Sequence, residues 1–211
     1  MGRFAAAIVL VVVIVGASAA FMAPVRRATL RWAGGLLILD DRPDPADIGV
    51  VSESEEPGGG ELELSDLYAQ RVIGRVLVLI PARGPIDREY LRRGIPREDD
   101  VLINLRRLGV PDSAVTRVDS GEGGTTESTQ ALAEWIRDHP GRVLVVMNPS
   151  HTRRYRRALL RIWPAGVPEP RVIQPRLSEF QAIDWWQSRR TRREGLVELE
   201  KLALDYVSHP W

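Results

Sequence analysis

The amino-acid sequence predicts an α/β domain of three layers, with a mostly parallel sheet of about five strands between helices, behind one apolar amino-terminal segment. Two observations predict the domain. Short runs rich in Val, Leu and Ile recur between Gly, Pro and Asp clusters, and segments with helical spacing of apolar residues separate them. Strands that alternate with helices of about ten to fifteen residues have the crossovers that a parallel sheet requires. A third observation predicts the segment: Phe4 to Ala23 carries no charge and is dominated by Ala, Val and Ile. About twenty such residues suffice to cross a hydrocarbon core as one transmembrane helix.

The apolar segment has two readings. As an uncleaved anchor it uses the whole run and stops at Arg26 and Arg27. As a cleaved signal it uses Arg3, an apolar region ending near Val15, and the small residues Ala17-Ser18-Ala19. Its length favours the anchor. Orientation is contested: Arg26, Arg27 and Arg31 outnumber Arg3 and the amino group, which points the following domain to the cytoplasm, whereas a signal-like start points it outward. The resulting plan is an anchor or signal over 1–25, a linker over 26–45 ending in Asp40-Asp41-Arg42-Pro43-Asp44-Pro45, and the α/β domain over 46–211.

Within the domain Ala46 to Val51 reads as the first strand, followed by the acidic, glycine-rich loop Ser52–Gly60 and a helix over Leu62–Val72. Arg75 to Ile80 is a second strand closed by Pro81, and Asp87 to Arg107 carries two short helices split at Gly94-Ile95-Pro96. Ala114 to Val118 is a third strand, followed by Ser120–Thr126 and a helix whose apolar face includes Leu132, Trp135 and Ile136. Val143 to Met147 is a fourth and Arg171–Ile173 a fifth, with closing helices over Ala182–Arg190 and Glu194–Val207.

Composition removes several function classes. Lys+Arg 29 against Asp+Glu 28 leaves a net charge of +1, so no global field points to nucleic acid. Lys201 is the sole lysine. Without cysteine, thiol catalysis, iron–sulfur clusters, cysteine-ligated zinc and disulfides are excluded.

Ligands of such sheets bind beyond the carboxyl ends of the strands, where three loops are expected to meet. The most informative is Asn148-Pro149-Ser150-His151-Thr152-Arg153-Arg154, with Arg156 and Arg157 behind it. Asn148 is a good helix cap and Pro149 suits the first helical position. Arginines at a helix start are opposed by the macrodipole, which suggests an anion there. His151 and Arg154 share a helical face, as do Ser150 and Arg154, leaving Arg153, Arg156 and Arg157 to solvent or to membrane headgroups. His151 is a candidate general acid or base, and Ser150 and Arg154 are candidate ligand contacts. Ser150-His151 is not a nucleophile–base pair, because neighbours on a helix do not face one another. His139 and His209 read as structural or incidental.

The second loop, Asp119 to Glu127, has glycines that bare backbone N–H groups, and Gly123, Gly124 and Thr126 are its candidate ligand contacts. It matches neither a Walker loop nor the dinucleotide fingerprint, and a plain loop and cap is the competing reading. In the first loop Glu53, Glu55 and Glu56 either hold a hard cation such as magnesium or calcium or are simply solvated; no metal site is assigned.

These residues carry a resemblance over about Ala46 to Tyr206. The run Ala46-Asp47-Ile48, the segments Leu67-Tyr68 with Arg75–Val78, Leu108–Pro111 with Ala114-Val115, the Thr126-Glu127 turn, Val145-Val146 leading to His151–Arg154, and Trp185-Trp186 with Glu198 or Glu200, Leu202 and Tyr206, taken in order, resemble the YdcF/SanA/ElyC-like family of bacterial envelope proteins. The chain departs from the family pattern at Ser52–Glu55, where a glycine-rich turn is usual, and at Ser128, where an acid is usual. The resemblance implies a Rossmann-like domain, single-pass in the cell membrane and extracytoplasmic, linked to envelope integrity and to peptidoglycan precursor or lipid-carrier handling. Thr126, His151 and Arg154 are the site residues it supports. The expected partners are the membrane and an anionic small molecule or lipid-linked precursor, the activity if any that of a hydrolase or transferase on a phosphorylated substrate. A non-catalytic envelope scaffold and a nucleotide or S-adenosylmethionine binder are the alternatives, the latter because one branch is associated with that cofactor. No cofactor follows from the residues themselves.

Overall fold

Side chains alternate faces along a strand, and in β2 (Ile73–Ile80) both sets are apolar and buried. Val76, Val78 and Ile80 pack with Leu64 and Leu67 of α2 (Gly59–Ala69) and with Val101 and Leu105 of α4 (Asp100–Arg107). Leu77 and Leu79 pack on the opposite side with Leu132 and Ile136 of α5 (Thr125–Asp138) and with Tyr155 and Leu159 of α6 (Thr152–Ile162). A strand buried on both faces lies at the centre of three layers.

The computed structural model describes residues 23–52, 58–95, 99–121 and 124–210. Besides β2, the sheet comprises β1 (Ala46–Ser52), β3 (Val115–Asp119), β4 (Val143–Val146) and β5 (Arg171–Ile173). All pairings are parallel and the order is β3-β2-β1-β4-β5, a Rossmann-like α/β arrangement. The order reverses between β1 and β4, so the crevice at their carboxyl ends is the switch point where ligands of such sheets sit. The remaining helices are α1 (Ala23–Leu37), α3 (Pro85–Arg92) and α7 (Arg189–Ser208).

The two short helices split at Gly94 form as expected. Pro85 starts α3, and α4 ends where Gly109 adopts φ +88 and its N–H bonds Arg106 O at 3.1 Å, a left-handed turn that favours glycine. Two expectations are corrected. The closing helices are one, because Gln181 to Gln187 form turns around buried Trp185 and Ser188 caps a helix running unbroken to Ser208. Residues 26–45 are folded onto the domain: α1 continues to Leu37, and Asp41 then lines the edge of β5, its N–H on Val172 O at 3.0 Å and its carboxylate on Val172 N–H at 2.9 Å. Covering an edge strand in this way removes its free backbone groups. The apolar run lies outside the described residues up to its last residue, Ala23, and no described helix is long and apolar enough to cross a membrane.

A third cluster joins α1 to α7 through Leu37, Phe180, Trp185 and Leu202. Arg153 fixes the carboxyl end of α1, donating to Leu36 O at 2.6 Å and Ile38 O at 2.8 Å. A cation there meets the negative end of the helix dipole. Arg153→Met is expected to cost about 1.5–3 kcal/mol, the range for a hydrogen bond to a charged group, and to expose the α1–β1 connection; thermal unfolding and limited proteolysis check both.

Candidate functional site

The chain leaves β4 through residues that are buried from Met147 to Ser150. Asn148 does not cap the helix as its position suggests. Its Oδ1 accepts the Ser150 N–H at 3.0 Å, closing a side-chain turn, and α6 begins only at Thr152, after His151. The buried Thr152 hydroxyl donates to Pro149 O at 3.0 Å and accepts the Leu39 N–H at 2.7 Å, tying this turn to the end of α1.

Helix α7 lies across the turn and presents Glu194, Glu198 and Lys201 at helical spacing on one side. Glu198 is the centre. Its side chain is 3% exposed, and Arg154 approaches Oε2 through Nε at 2.9 Å and Nη2 at 2.8 Å. On Oε1, Lys201 Nζ lies at 2.7 Å and His151 Nε2 at 3.5 Å. The anion expected beside His151 and Arg154 is thus, in part, the protein's own carboxylate. Burial pushes the Glu198 carboxyl up, but the charge of His151, the Lys201 hydrogen bond and Arg154 outweigh it and hold it below its ordinary 4.5.

Ser150 is 1% exposed. Its Oγ lies 2.9 Å from Asn148 Oδ1 and 2.5 Å from Glu194 Oε1. With one proton and two acceptors, the hydroxyl serves best by donating to Glu194, since Asn148 Oδ1 is already bonded to a backbone N–H. Ser150 therefore positions Glu194 and is closed off from a ligand.

A cleft of about 660 Å³ opens on this cluster, with His151, Glu194, Glu198 and Lys201 along it. Its rim is Arg189, Arg190 and Arg193 from the first turns of α7. Arg190 pairs with Glu179 at 2.7 Å, while Arg189 and Arg193 engage no partner among the described residues. Three arginines and a lysine against two glutamates leave the mouth electropositive.

The other arginines of α6 are corrected from solvent or headgroups to internal partners. Arg153 holds α1, Arg156 lies 3.3 Å from Asp41 and 3.5 Å from Glu169, and Arg157 pairs with Asp205 at 2.7 Å while covering the Tyr206 ring. Arg161 shares Asp205 at 2.7 Å.

The three loops leave one edge of the sheet, the first and third from the neighbouring strands β1 and β4 and the second from the edge strand β3. Sheet order sets β3 two strands from β1 and three from β4. Gly124 is the exposed cap residue of α5, with φ +138, and exposed Thr126 lines a separate cleft between α5 and α6, with Arg137, Arg161 and His209. Gly123, Glu53, Glu55 and Glu56 lie outside the described residues. His139 stacks on Trp135 with ring centres 4.2 Å apart, and the carbonyl of His209 accepts from Arg157 at 2.8 Å. The residues that sequence reasoning left out of the site are Glu194, Glu198, Lys201, Arg189, Arg190 and Arg193. The legible signal was a second arginine cluster ending at Arg193, eight residues before the sole lysine, with Glu194 and Glu198 spaced i, i+4 between them.

Comparison with known proteins finds no matching family model, no matching curated protein and no matching solved structure.

Proposed function

We propose that the cleft between α7 and the β4–α6 turn binds a phosphorylated or otherwise anionic ligand, as a membrane-anchored envelope protein of the kind the sequence resembles would in handling a peptidoglycan precursor or lipid carrier. One observation carries the reading: Arg189 and Arg193, without partners among the described residues, rim a cleft that also holds His151 and the only lysine side chain. Glu198 neutralises Arg154 within the wall, so the rim rather than Arg154 supplies the ligand's countercharge. His151, beside Glu198 and 26% exposed at the cleft, is the group that would exchange a proton with a bound substrate, the role a hydrolase or transferase needs.

The test uses the full chain in detergent with pyrophosphate, a nucleotide, a polyprenyl phosphate and S-adenosylmethionine as separate probes. A probe at one hundred times its Kd should add about 2.7 kcal/mol of stability and protect Lys201, the sole side-chain amine, from acylation. Arg189→Ala with Arg193→Ala should abolish both effects while changing the unliganded stability by no more than about 0.5 kcal/mol, as for surface substitutions. No shift with any probe, or a shift that survives in the double variant, rejects the site. Turnover abolished by His151→Ala with binding retained would identify an enzyme; binding without turnover would favour the scaffold.

A further inference from the structure

Helix α1 is held to the domain along one side only. Leu37 is buried, Leu30 O accepts the Trp185 indole N–H at 2.7 Å, and Gly34 lies against the Trp185 ring. A different side carries Val25, Trp32 and Leu36, exposed by 39%, 66% and 36%. Their spacing of seven and then four residues aligns them in one stripe along the helix. Arg26 and Arg31, both exposed, flank that stripe on either side. A large apolar side chain two-thirds exposed beside two others is a costly surface in water. Trp and Leu on one flank with arginines beside them form the pattern of a helix lying in a membrane interface, where the indole sits at headgroup depth and guanidinium groups reach anionic lipid.

What precedes the helix identifies the occupant. The uncharged run from Phe4 ends at Ala23, the first residue of α1. If that run crosses a bilayer, no spacer separates its end from Val25, and α1 starts at the lipid surface. We infer that α1 is an interfacial helix, its Val25–Trp32–Leu36 stripe set into the headgroup region of an anionic bilayer. The inference rests on the membrane-anchor reading and goes beyond it, from a tethered domain to one held in a fixed pose. The coupling is short: Arg153, two residues from His151, bonds Leu36 O in α1 and Ile38 O just beyond it, and Thr152, one residue from His151, bonds Leu39. Lipid contact on α1 therefore fixes the height and tilt of the His151 cleft above the membrane.

The absence of cysteine makes the test direct. Single variants Val25→Cys, Trp32→Cys and Leu36→Cys of the full chain, with Leu108→Cys at the end of α4 as an exposed reference, are spin-labelled in vesicles of equal parts phosphatidylcholine and phosphatidylglycerol. The three α1 labels should be relaxed by oxygen and shielded from an aqueous nickel chelate, and the Leu108 label should show the reverse. Arg26→Gln with Arg31→Gln should weaken the shielding in these vesicles more than in vesicles of phosphatidylcholine alone. If the chain withstands an alkaline carbonate wash but the α1 labels are as open to nickel as the Leu108 label, the interfacial pose is wrong and the anchor stands. Labels shielded from both relaxants would assign the stripe to a protein contact and overturn the pose as well. A chain that washes off the vesicles rejects the anchor and the inference together.

Discussion

Glu198→Gln is expected to lower stability by about 3 kcal/mol, the lower part of the range for breaking a buried ion pair from one side. The amide keeps the volume but leaves Arg154, 16% exposed, facing His151 with no anion. Lys201 is 51% exposed and can turn to water, so Lys201→Met should cost less than about 1 kcal/mol. The contrast separates a buried charge from a solvated one in the same cluster. Replacing Arg154 and Glu198 together by Met should cost less than the two single losses added, because neither partner is then stranded. Equilibrium unfolding of these variants, with Arg154→Met and Glu198→Met as the single losses, measures each value. The same carboxylate sets an acid limb. Its native pKa lies below its ordinary 4.5, and Asp205 lies below 3.8 because Arg161 and Arg157 outweigh its burial. A depressed carboxylate binds its proton more readily when unfolded, so its stabilisation is complete above the ordinary value and is lost as pH falls through the native one. Glu198→Gln should therefore flatten the acid decline of the melting temperature.

Gly195→Ala is the second large effect, and two terms compete for its sign. Alanine favours a helix interior over glycine by about 1 kcal/mol. Against that, a Cβ at Gly195 would lie 2.4 Å from Trp185 Cε3 and 2.7 Å from Cζ3. The ring cannot retreat, because a Cβ-sized space on its other side is already closed by Gly34, whose own Cβ would meet Trp185 Cδ1 at 2.6 Å. Overpacking a fixed ring costs about 1–3 kcal/mol, so the substitution should destabilise despite the gain in propensity. Trp185→Ala, which empties the gap between α1 and α7, should cost about 3–5 kcal/mol. If Gly195→Ala raises the melting temperature instead, Trp185 is less tightly held than its 2% exposure implies.

The sheet was legible because its signal is local. The apolar runs at Ala46, Arg75, Val143 and Arg171 become strands within two residues of their expected ends, because each carries its own apolar signal into the buried layer of the sheet. The turn after β4 was found for the same reason, although its cap was misplaced: Asn148 bonds Ser150 two residues on, and propensity does not distinguish that turn from a helix cap. Separate helices over Ala182–Arg190 and Glu194–Val207 are expected because Arg190 to Arg193 break the apolar spacing, whereas contact with Trp185 and the β4–α6 turn orders that stretch as the start of one helix.

Local chemistry in the sequence by itself determined the layers, the parallel strands, the junction that carries His151 and Arg154, and the uncharged run that ends where α1 begins. Tertiary structure alone decided what neutralises the arginines. Glu198 and Asp205 lie 44 and 48 residues from the arginines they bind, Arg154 and Arg157. Helical spacing places an arginine on a face, but the charge it meets there depends on which distant helix packs across it. That choice was made by the Trp185 contacts that seat α7 over the turn, and it moved the open positive charge from α6 to the rim formed by Arg189 and Arg193.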